Sequence, residues 1–214
     1  MSKLLINVEG NIGVGKSTFT KILKEQVADS DIVYEPIDIW LNIKDNDNKT
    51  ILDKFYEDKH RWTYTFQNFA YITRMIKIED MIRSSDKTHI FLDRSLDTDL
   101  FVFGKMLADD GYMNNMELQI YEHWNKFYYQ YVRQNNNQKT IYLRSDPEVC
   151  LERIKGRGRN AEQLIGLDYL KRLHEYHDKW LLNKPNTLII DCNKDFENDQ
   201  EYQKYIIDQV NKFI

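Results

Sequence analysis

The most specific chemical signal in the sequence is a glycine-rich pattern between a short apolar run and a stretch with helical periodicity. The pattern is G-x-x-x-x-G-K-S, and it follows the run LLINV. In this context backbone amides turn inward onto phosphate oxygens, the lysine reaches the phosphate to be transferred, and the serine hydroxyl coordinates magnesium. The following helix adds its dipole. The residues predicted to bind a nucleoside triphosphate are Gly10, Asn11, Ile12, Gly13, Val14, Gly15, Lys16, Ser17 and Thr18.

Charged residues also follow the second and third strand-like runs. Glu35 comes after DIVY, and Asp93 and Arg94 come at the end of THIFLD. Ligands of parallel sheets bind beyond the carboxyl ends of the strands, so these side chains should lie beside the phosphate loop. Glu35 is a candidate general base, Asp93 a magnesium ligand, and Arg94 a group that neutralises the moving phosphoryl. The alternatives are a solvated glutamate, a surface ion pair and, for Ser95, a helix cap.

The long helical stretch 59–84 carries two distinct faces. The apolar residues that recur at about 100° per residue are Trp62, Phe69, Ile72 and Ile76. We predict that this stripe faces the core. A second face carries Gln67, Ala70 and Arg74. Glutamine can pair with a base edge and alanine leaves room for a ring, although polar helix residues more often face water.

A cationic segment follows the helix that Asp146-Pro147 opens. Its residues include Arg153, Lys155, Arg157 and Arg159, with two intervening glycines. We interpret residues 153–163 as a mobile lid that clamps the transferred phosphate and excludes water. A nucleic-acid patch is the alternative, but it would need interleaved aromatic residues or broader basicity.

The order of elements predicts how these residues are positioned. The strand-like runs cover 4–8, 31–34, 88–93, 139–144 and 186–191. The helical stretches cover 16–28, 59–84, 114–133 and 162–182, and a closing helix lies within 198–214. Their alternation predicts an α/β fold with a five-stranded parallel sheet flanked by helices, in one domain over residues 1–214. The polar segments 43–49 and 134–138 are predicted surface connections.

Composition narrows the class of protein. The 214 residues are 42% hydrophobic and 30% charged, and the net charge is −4. This balance disfavours a nucleic-acid partner, and no run is apolar enough to cross a membrane. Cys150 and Cys192 form no C-x-x-C pair, and His174 and His177 do not make H-E-x-x-H, so we predict no zinc site. No secretory or transit segment is visible, which favours a reducing, cytoplasmic location.

Several motifs together resemble the deoxynucleoside kinase family, in order along essentially the whole chain. They are EGNIGVGKST, YEPIDIW, YEDKHRWTYTFQNFA with Arg74, DRSLDTDLF and RIKGRGRNAEQ. The set looks closest to the deoxycytidine and deoxyguanosine kinase branch. The resemblance implies a P-loop kinase fold, an ATP-type donor with magnesium, a helix-packed homodimer and a role in nucleotide salvage.

The resemblance also implies individual roles. Glu35 would be the general base for the 5′-hydroxyl, with Arg94 as its partner. Residues that match positions at the base are Trp40, Phe66, Gln67 and Phe103, and those that match positions at the sugar 3′-hydroxyl are Tyr56 and Glu162. The lid residues are Arg153, Arg157 and Arg159, and the loop at the donor base is Asp195 and Phe196.

Arg74 and Asp99 match a pair that recognises the base in the deoxycytidine and deoxyguanosine branch. An arginine held by an aspartate offers donors to the ring and occupies the space that a 5-methyl group needs. Thymidine should therefore be a poor substrate. Ala161 departs from relatives that carry a second lid glutamate there, which weakens the transfer of lid roles.

The leading hypothesis is transfer of phosphate from ATP to the 5′-hydroxyl of deoxycytidine or a purine deoxynucleoside. A nucleoside monophosphate kinase is one alternative, but Glu35 would repel the acceptor's phosphate. A catalytically silent structural subunit is another. A silent subunit would not need to keep all of the catalytic candidates, which are Lys16, Ser17, Glu35, Asp93 and Arg94.

Overall fold

A central parallel sheet organises the chain in the computed structural model, which describes residues 3–133, 137–158 and 165–214. The strands are β1 (Leu4–Gly10), β2 (Ser30–Val33), β3 (His89–Asp93), β4 (Asn137–Arg144) and β5 (Thr187–Asp191). Their order is β2-β3-β1-β4-β5, and every pairing is parallel. The predicted α/β class and five-stranded sheet are confirmed, with strand ends within two residues of the predicted ones.

Strand register brings the chemical segments to one edge of the sheet. Val8 of β1 pairs with Asp93 of β3, and Gly10 pairs with Leu143 of β4. Val33 of β2 pairs with Leu92. The phosphate loop, the turn after β2 and the turn after β3 therefore leave the sheet side by side, as expected for parallel strands.

Helices connect the strands. They are α1 (Lys16–Gln26), α2 (Ile37–Asn42), α3 (Ile51–Glu57), α4 (Lys59–Ser84), α5 (Leu96–Thr98), α6 (Lys105–Asp109), α7 (Asn115–Arg133), α8 (Pro147–Arg157), α9 (Leu167–Leu181) and α10 (Gln200–Phe213). A π-helical segment, Asp99–Gly104, joins α5 to α6. A capping box between Thr50 and Asp53 begins α3, and the Asp58 side chain caps α4. No helix in the described parts of the chain is long and apolar enough to span a bilayer.

The hydrophobic core covers both faces of the sheet. Ile6 and Val8 of β1 pack on one side with Phe19 of α1, whereas Leu5 packs on the other with Tyr71 of α4 and Tyr121 of α7. This division follows from the period of two in a strand. The two clusters hold β1 rigidly in the centre of the molecule, directly before the phosphate loop.

The predicted core stripe on α4 is confirmed only in part. Trp62 and Phe69 are partly buried and pack against the core, but Ile72 and Ile76 are 45% and 49% exposed. The buried residues of α4 instead are Thr63, Phe66, Gln67, Ala70, Tyr71, Thr73, Arg74 and Ile78. The helix turns a mixed, partly polar face inward because that face lines a cavity as well as the core.

Other boundaries differ from the predictions in detail. Residues 43–49 form an exposed connection as predicted, but Asn137 and Gln138 belong to β4, and 134–136 lie outside the described residues. The stretch 162–182 becomes helical only at Leu167, and its residues 162–164 are also outside. Helices α2 and α3 were not predicted. Such short helices depend on tertiary packing, here through buried Trp40 and Phe55.

Candidate active site

A cavity of about 860 Å³ opens at the carboxyl edge of the sheet. The residues predicted from sequence that line it are Ile12, Gly13, Gly15, Lys16, Ser17, Thr18, Glu35, Trp40, Tyr56, Phe66, Gln67, Ala70, Arg74, Asp93, Arg94, Asp99, Phe103, Arg153, Arg157, Asp195 and Phe196. Side chains predicted to bind the donor and those predicted to bind the acceptor therefore share one continuous space.

Two glycines give the phosphate loop its shape. Gly13 and Gly15 have φ values of 81° and 104°, in the left-handed region. A Cβ at Gly13 would lie 2.4 Å from the carbonyl oxygen of Cys150, and one at Gly15 would lie 2.9 Å from the Phe196 ring. The loop is thus packed between α8 and the segment after β5, and side chains at either glycine are excluded.

Lys16 begins α1 and folds back over the loop. Its Nζ donates to the carbonyl oxygens of Gly10 at 3.1 Å and Asn11 at 3.0 Å. Burial, and then repulsion from Arg94, lower the pKa of Lys16 to about 8. Both of these acceptors are neutral, and nearby carboxylates only partly offset the lowering of the pKa, so an incoming phosphate would supply a negative charge in direct contact with the ammonium.

Three predicted loop residues do not line the cavity. Val14 is fully buried in the core. The side-chain amide of Asn11 donates to the carbonyl oxygen of Leu170 on α9, at 2.9 Å. The Gly10 carbonyl also accepts from Arg94 Nη2, at 3.3 Å. These residues brace the loop against its neighbours.

The charged residues after β2 and β3 meet in a buried ion-pair network. Arg94 Nη1 lies 3.0 Å from both carboxylate oxygens of Glu35. Arg74 Nη2 donates to Glu35 Oε1, also at 3.0 Å, and Arg74 Nε donates to Asp99 Oδ2 at 2.9 Å. The Glu35 side chain is 13% exposed and both arginines are almost fully buried. The alternatives of a solvated glutamate and a surface ion pair are therefore excluded.

This network determines the charge of Glu35. Burial by itself would raise the pKa of the carboxyl, but Arg94, Arg74 and Lys16 outweigh that effect and lower it to about 2. Glu35 is therefore ionised throughout the neutral pH range. Burial, followed by repulsion from Glu35, raises the pKa of Asp93.

One carboxylate oxygen of Asp93 is unpaired within the described part of the chain. Its Oδ1 is buried without a hydrogen bond among the described residues, and the side chain lines the cavity close to the phosphate loop. Within the described residues, no group of three or more His, Cys, Asp or Glu side chains forms a metal site. A magnesium ion here would thus depend on one carboxylate, the Ser17 hydroxyl, water and phosphate oxygens, which is an ordinary set for this cation.

Aromatic side chains form a slot beside the ion-pair network. Trp40 and Phe66 meet edge to face with centroids 5.3 Å apart, and the Trp40 indole donates to Thr73 Oγ1 at 3.0 Å. Gln67 is 2% exposed, and its Oε1 has no hydrogen-bond partner among the described residues. An unpartnered buried amide oxygen in a side chain that lines a cavity is suited to accept from a polar ligand edge.

The π-helical segment also contributes side chains to the cavity wall. Asp99 and Phe103, at its first and fifth positions, both line the cavity, and the Phe103 ring lies 5.2 Å from Arg94 Cζ. Gly104 allows close packing, because a Cβ there would meet the Tyr121 ring at 2.9 Å. Irregular helical turns of this kind often occur at functional sites.

The arginines of the predicted lid lie in a different secondary structure from the one expected. Arg153 and Arg157 belong to the last turns of α8 instead of a segment after the helix, and Gly158 ends α8 in the left-handed conformation, with φ 65°. Arg153 Nη1 donates to the Val14 carbonyl at 3.1 Å. Arg159, Ala161 and Glu162 lie outside the described residues.

Sequence reasoning missed several cavity residues. They include Ile37, Leu41, Thr50, Leu52, Asp53, Phe55, Tyr169 and Glu197. Most come from α2 and α3, whose existence was not predicted. Tyr169, in the first turn of α9, follows no motif, so no sequence signal could have identified it.

Comparison with known proteins agrees with this geometry. The family model described as deoxynucleoside kinase matches residues 6–214. The chain is 32% identical to deoxycytidine kinase 2 of Gallus gallus and 33% identical to deoxycytidine kinase of Homo sapiens, over 98% of this chain and 89% and 90% of theirs. It is 32% identical to the mitochondrial deoxyguanosine kinase of Xenopus laevis, over 98% of this chain and 89% of that relative. The resemblance drawn from the motifs is confirmed, and the chain belongs to the deoxynucleoside kinase family.

Proposed function

We propose that this deoxynucleoside kinase transfers the γ-phosphate of ATP to the 5′-hydroxyl of deoxycytidine or a purine deoxynucleoside, and accepts thymidine poorly. The observation that carries the proposal is the ionised Glu35 carboxylate, held by Arg94 and Arg74 where the phosphate loop meets the aromatic slot. A carboxylate there can orient the hydroxyl and take its proton as the oxygen attacks phosphorus. The low basicity of Glu35 is adequate for this role, because catalysis of phosphoryl transfer depends mainly on positioning and electrostatics.

The donor would bind on the loop that begins α1. Backbone amides and the helix dipole favour the β- and γ-phosphates, and Lys16 would leave the carbonyls of Gly10 and Asn11 to reach them. Asp195 and Phe196 line the same cavity behind Gly15 and would border the donor base. Arg153 and Arg157, on the last turns of α8, would neutralise the transferred phosphoryl group.

A magnesium ion fits beside the loop. Ser17 and the unpartnered Oδ1 of Asp93 would hold it directly or through water. When bound, the ion would neutralise charge on the β- and γ-phosphates.

The acceptor base would lie in the aromatic slot. Phe66, Trp40 and Phe103 would enclose it, Ala70 leaves room for the ring, and Gln67 would pair with its edge. Tyr56 lines the cavity and would contact the sugar, together with Glu162 by family resemblance.

Discrimination against thymidine would depend on Arg74 and Asp99. Two hydrogen bonds, of 2.9 and 3.3 Å, hold the guanidinium to Asp99. A pair fixed in this way blocks a 5-methyl group sterically and offers donors to a ring nitrogen or carbonyl.

Phosphate transfer from Mg-ATP to purified acceptors tests the proposal. The four deoxynucleosides and their monophosphates should be compared under the same conditions. Activity with deoxycytidine, deoxyguanosine or deoxyadenosine, and little with thymidine, is expected. Transfer only to monophosphates would instead indicate a monophosphate kinase, and ATP binding without any transfer would indicate a silent subunit.

We also propose a homodimer that packs through α4 and α7. Large apolar side chains are 42–72% exposed on the outer faces of these adjacent helices, namely Ile72, Ile76, Met116, Ile120, Trp124 and Phe127. Exposed large apolar side chains grouped on two neighbouring helices are typical of an interface. Sedimentation should therefore show a dimer that Trp124→Glu dissociates. Tyr205→Glu, at an exposed site on α10, should leave the dimer intact.

A reducing, cytoplasmic compartment is the proposed location. Cys150 and Cys192 are both buried and unbridged, and burial raises the pKa of each thiol, that of Cys192 to about 12. Neither cysteine is suited to disulfide exchange. Fractionation of native cells should recover the activity in the cytosol, and recovery within an organelle would contradict the proposal.

A further inference from the structure

Glu9 is a fully buried carboxylate that does not line the cavity. It lies in β1, one residue before the phosphate loop, on the same face of the sheet as Asn7 and Leu5. A buried charged group is costly unless its oxygens are hydrogen-bonded. Its partners therefore indicate what the side chain does.

Within the part of the chain that the structure describes, the donors to the Glu9 carboxylate come from the segment after β3. The backbone amide of Ser95 donates to Oε1 at 3.0 Å, and the Ser95 hydroxyl donates to the same oxygen. The Thr98 hydroxyl donates to Oε2. Ser95 was a candidate helix cap, and it does occupy that position, but its hydroxyl binds Glu9 instead of capping α5.

These bonds flank a strained residue. Arg94 has φ +68°, in the left-handed region that side chains disfavour. Its own amide donates to the Val8 carbonyl at 3.1 Å, and the next amide, of Ser95, donates to Glu9. Consecutive residues of β1 thus hold the peptide groups on both sides of Arg94. Strained conformations persist only where the surroundings over-determine them.

The direction of the Arg94 side chain follows from this backbone. Its guanidinium points to Glu35, and Nη1 lies 3.0 Å from both carboxylate oxygens. We propose that Glu9 is a positioning residue: its carboxylate clamps the Ser95–Thr98 turn and so keeps Arg94 in the left-handed backbone from which it reaches Glu35. This inference rests on the role proposed for Glu35.

Loss of Glu9 could shift the pKa of Glu35 in either of two directions, depending on what Glu9 does. The charged groups that interact with Glu35 are Arg94 after β3, Arg74 on α4, Lys16 on α1, and the carboxylates of Asp93 and Asp99. Removal of a nearby negative charge alone would lower the pKa of Glu35 or leave it unchanged. Release of Arg94 would instead raise that pKa from about 2 toward the ordinary 4.5. The direction of the shift separates positioning from a charge effect.

The experiment compares Glu9→Ala, Glu9→Gln and Asn7→Ala. Asn7 is the matched control, because it is buried on the same strand and the same sheet face. The acceptor's kcat/KM should be measured from about pH 3.5 to 8, since this parameter reports ionisations of the free enzyme. The Kd for ATP and the melting temperature are measured on the same samples.

We expect Glu9→Ala to lose about tenfold or more in kcat/KM at neutral pH and to gain an acid limb below about pH 5. Its Kd for ATP should change by less than about threefold. Glu9→Gln should retain most activity, because its amide oxygen can accept from Ser95 and its NH₂ can donate to Thr98. Asn7→Ala should lower only the melting temperature.

The inference is overturned if Glu9→Ala matches Asn7→Ala in kinetics, or if Glu9→Gln is as impaired as Glu9→Ala. If Glu9→Ala does not fold, Thr98→Val removes one bond to the carboxylate and keeps its charge. It should move the acid limb in the same direction by a smaller amount, and a flat profile there overturns the inference.

The Glu35→Gln variant separates this inference from the proposed function. Normal turnover in Glu35→Gln would overturn the role proposed for Glu35 and, with it, the inference about Glu9. An inactive Glu35→Gln beside an unaffected Glu9→Ala would overturn the Glu9 inference alone.

Discussion

The two halves of the cavity are built in different ways. The donor half consists mainly of consecutive residues, 10–18, whose backbone turns around Gly13 and Gly15. The acceptor half brings together side chains from α2, α3, α4, the turn after β3, the π-helical segment and α9. The first half is a local structure, and the second exists only when distant segments are packed.

The halves also differ in how their charges are held. Lys16 is bonded to backbone carbonyls, whereas Glu35, Arg74, Arg94 and Asp99 are bonded to one another in a buried network. Removing one member of such a network leaves another charge unpaired. Substitutions should therefore act independently in the donor half and cooperatively in the acceptor half.

The largest expected effect is that of Glu35→Gln. The amide keeps the shape of the side chain but cannot take a proton, so kcat should fall by about 10²–10⁴. The Kd for ATP should change little, because Glu35 belongs to the acceptor half. Steady-state kinetics and ATP titration test this, with Glu57→Gln as a surface control. Turnover close to the unmodified enzyme's would contradict a general-base role.

Arg74→Met with Asp99→Ala should change the choice of base. Opening space for a 5-methyl group should raise thymidine kcat/KM relative to deoxycytidine by about 10–200-fold. Arg74→Met alone should be less stable than the double variant, by up to about 3–5 kcal/mol, because it leaves Asp99 buried without its partner. Continued exclusion of thymidine, or strictly additive stability changes, would contradict a cooperative acceptor half.

Gly15→Ala should damage the donor half alone. At φ 104° a side chain costs about 1–2 kcal/mol, and the Cβ would meet the Phe196 ring at 2.9 Å. ATP should bind about tenfold more weakly or worse, with nucleoside affinity unchanged. Gly111→Ala is the matched control, since its φ is +80° with nothing within 4 Å of the added atom. Equal loss of both ligands in Gly15→Ala would show that the halves are not independent.

The smallest effect is a pH dependence of ATP binding. Lys16 has its pKa lowered to about 8, so it is largely protonated below pH 8 and loses its charge above it. The bound phosphates favour the protonated form, so affinity should be flat below pH 8 and fall by up to about tenfold per unit above it. Calorimetry near pH 8 in buffers of different ionisation enthalpy should detect proton uptake on binding. Absence of uptake, with constant affinity to pH 9, would contradict the lowered pKa.

Secondary structure was predictable where the local pattern was strong. The five strands, α1, α4 and α7 follow from apolar runs and helical periodicity, and their observed ends lie close to the predicted ones. The short helices α2 and α3 and the π-helical segment have too few residues for periodicity to identify them. Their conformation depends on packing around Trp40, Phe55 and Tyr121.

The orientation of α4 was predicted correctly only for the half of the stripe that holds Trp62 and Phe69. An apolar stripe with helical spacing ordinarily faces the core. Here Ile72 and Ile76 are exposed, while Gln67 and Arg74 are buried at the cavity. Apolar periodicity identifies the apolar face of a helix, but it does not indicate whether that face packs on the protein's own core or on another surface.

The sequence by itself determined the phosphate loop, the parallel sheet and the set of charged residues at its edge, because motif spacing and strand order act over short distances along the chain. Only the tertiary structure decided that Arg74, expected beside Asp99, also binds Glu35, that Arg94 takes a left-handed backbone, and that Ser95 donates to Glu9. Those contacts join residues 39–86 positions apart. Such pairings depend on burial and on the register of the sheet, which no local pattern encodes.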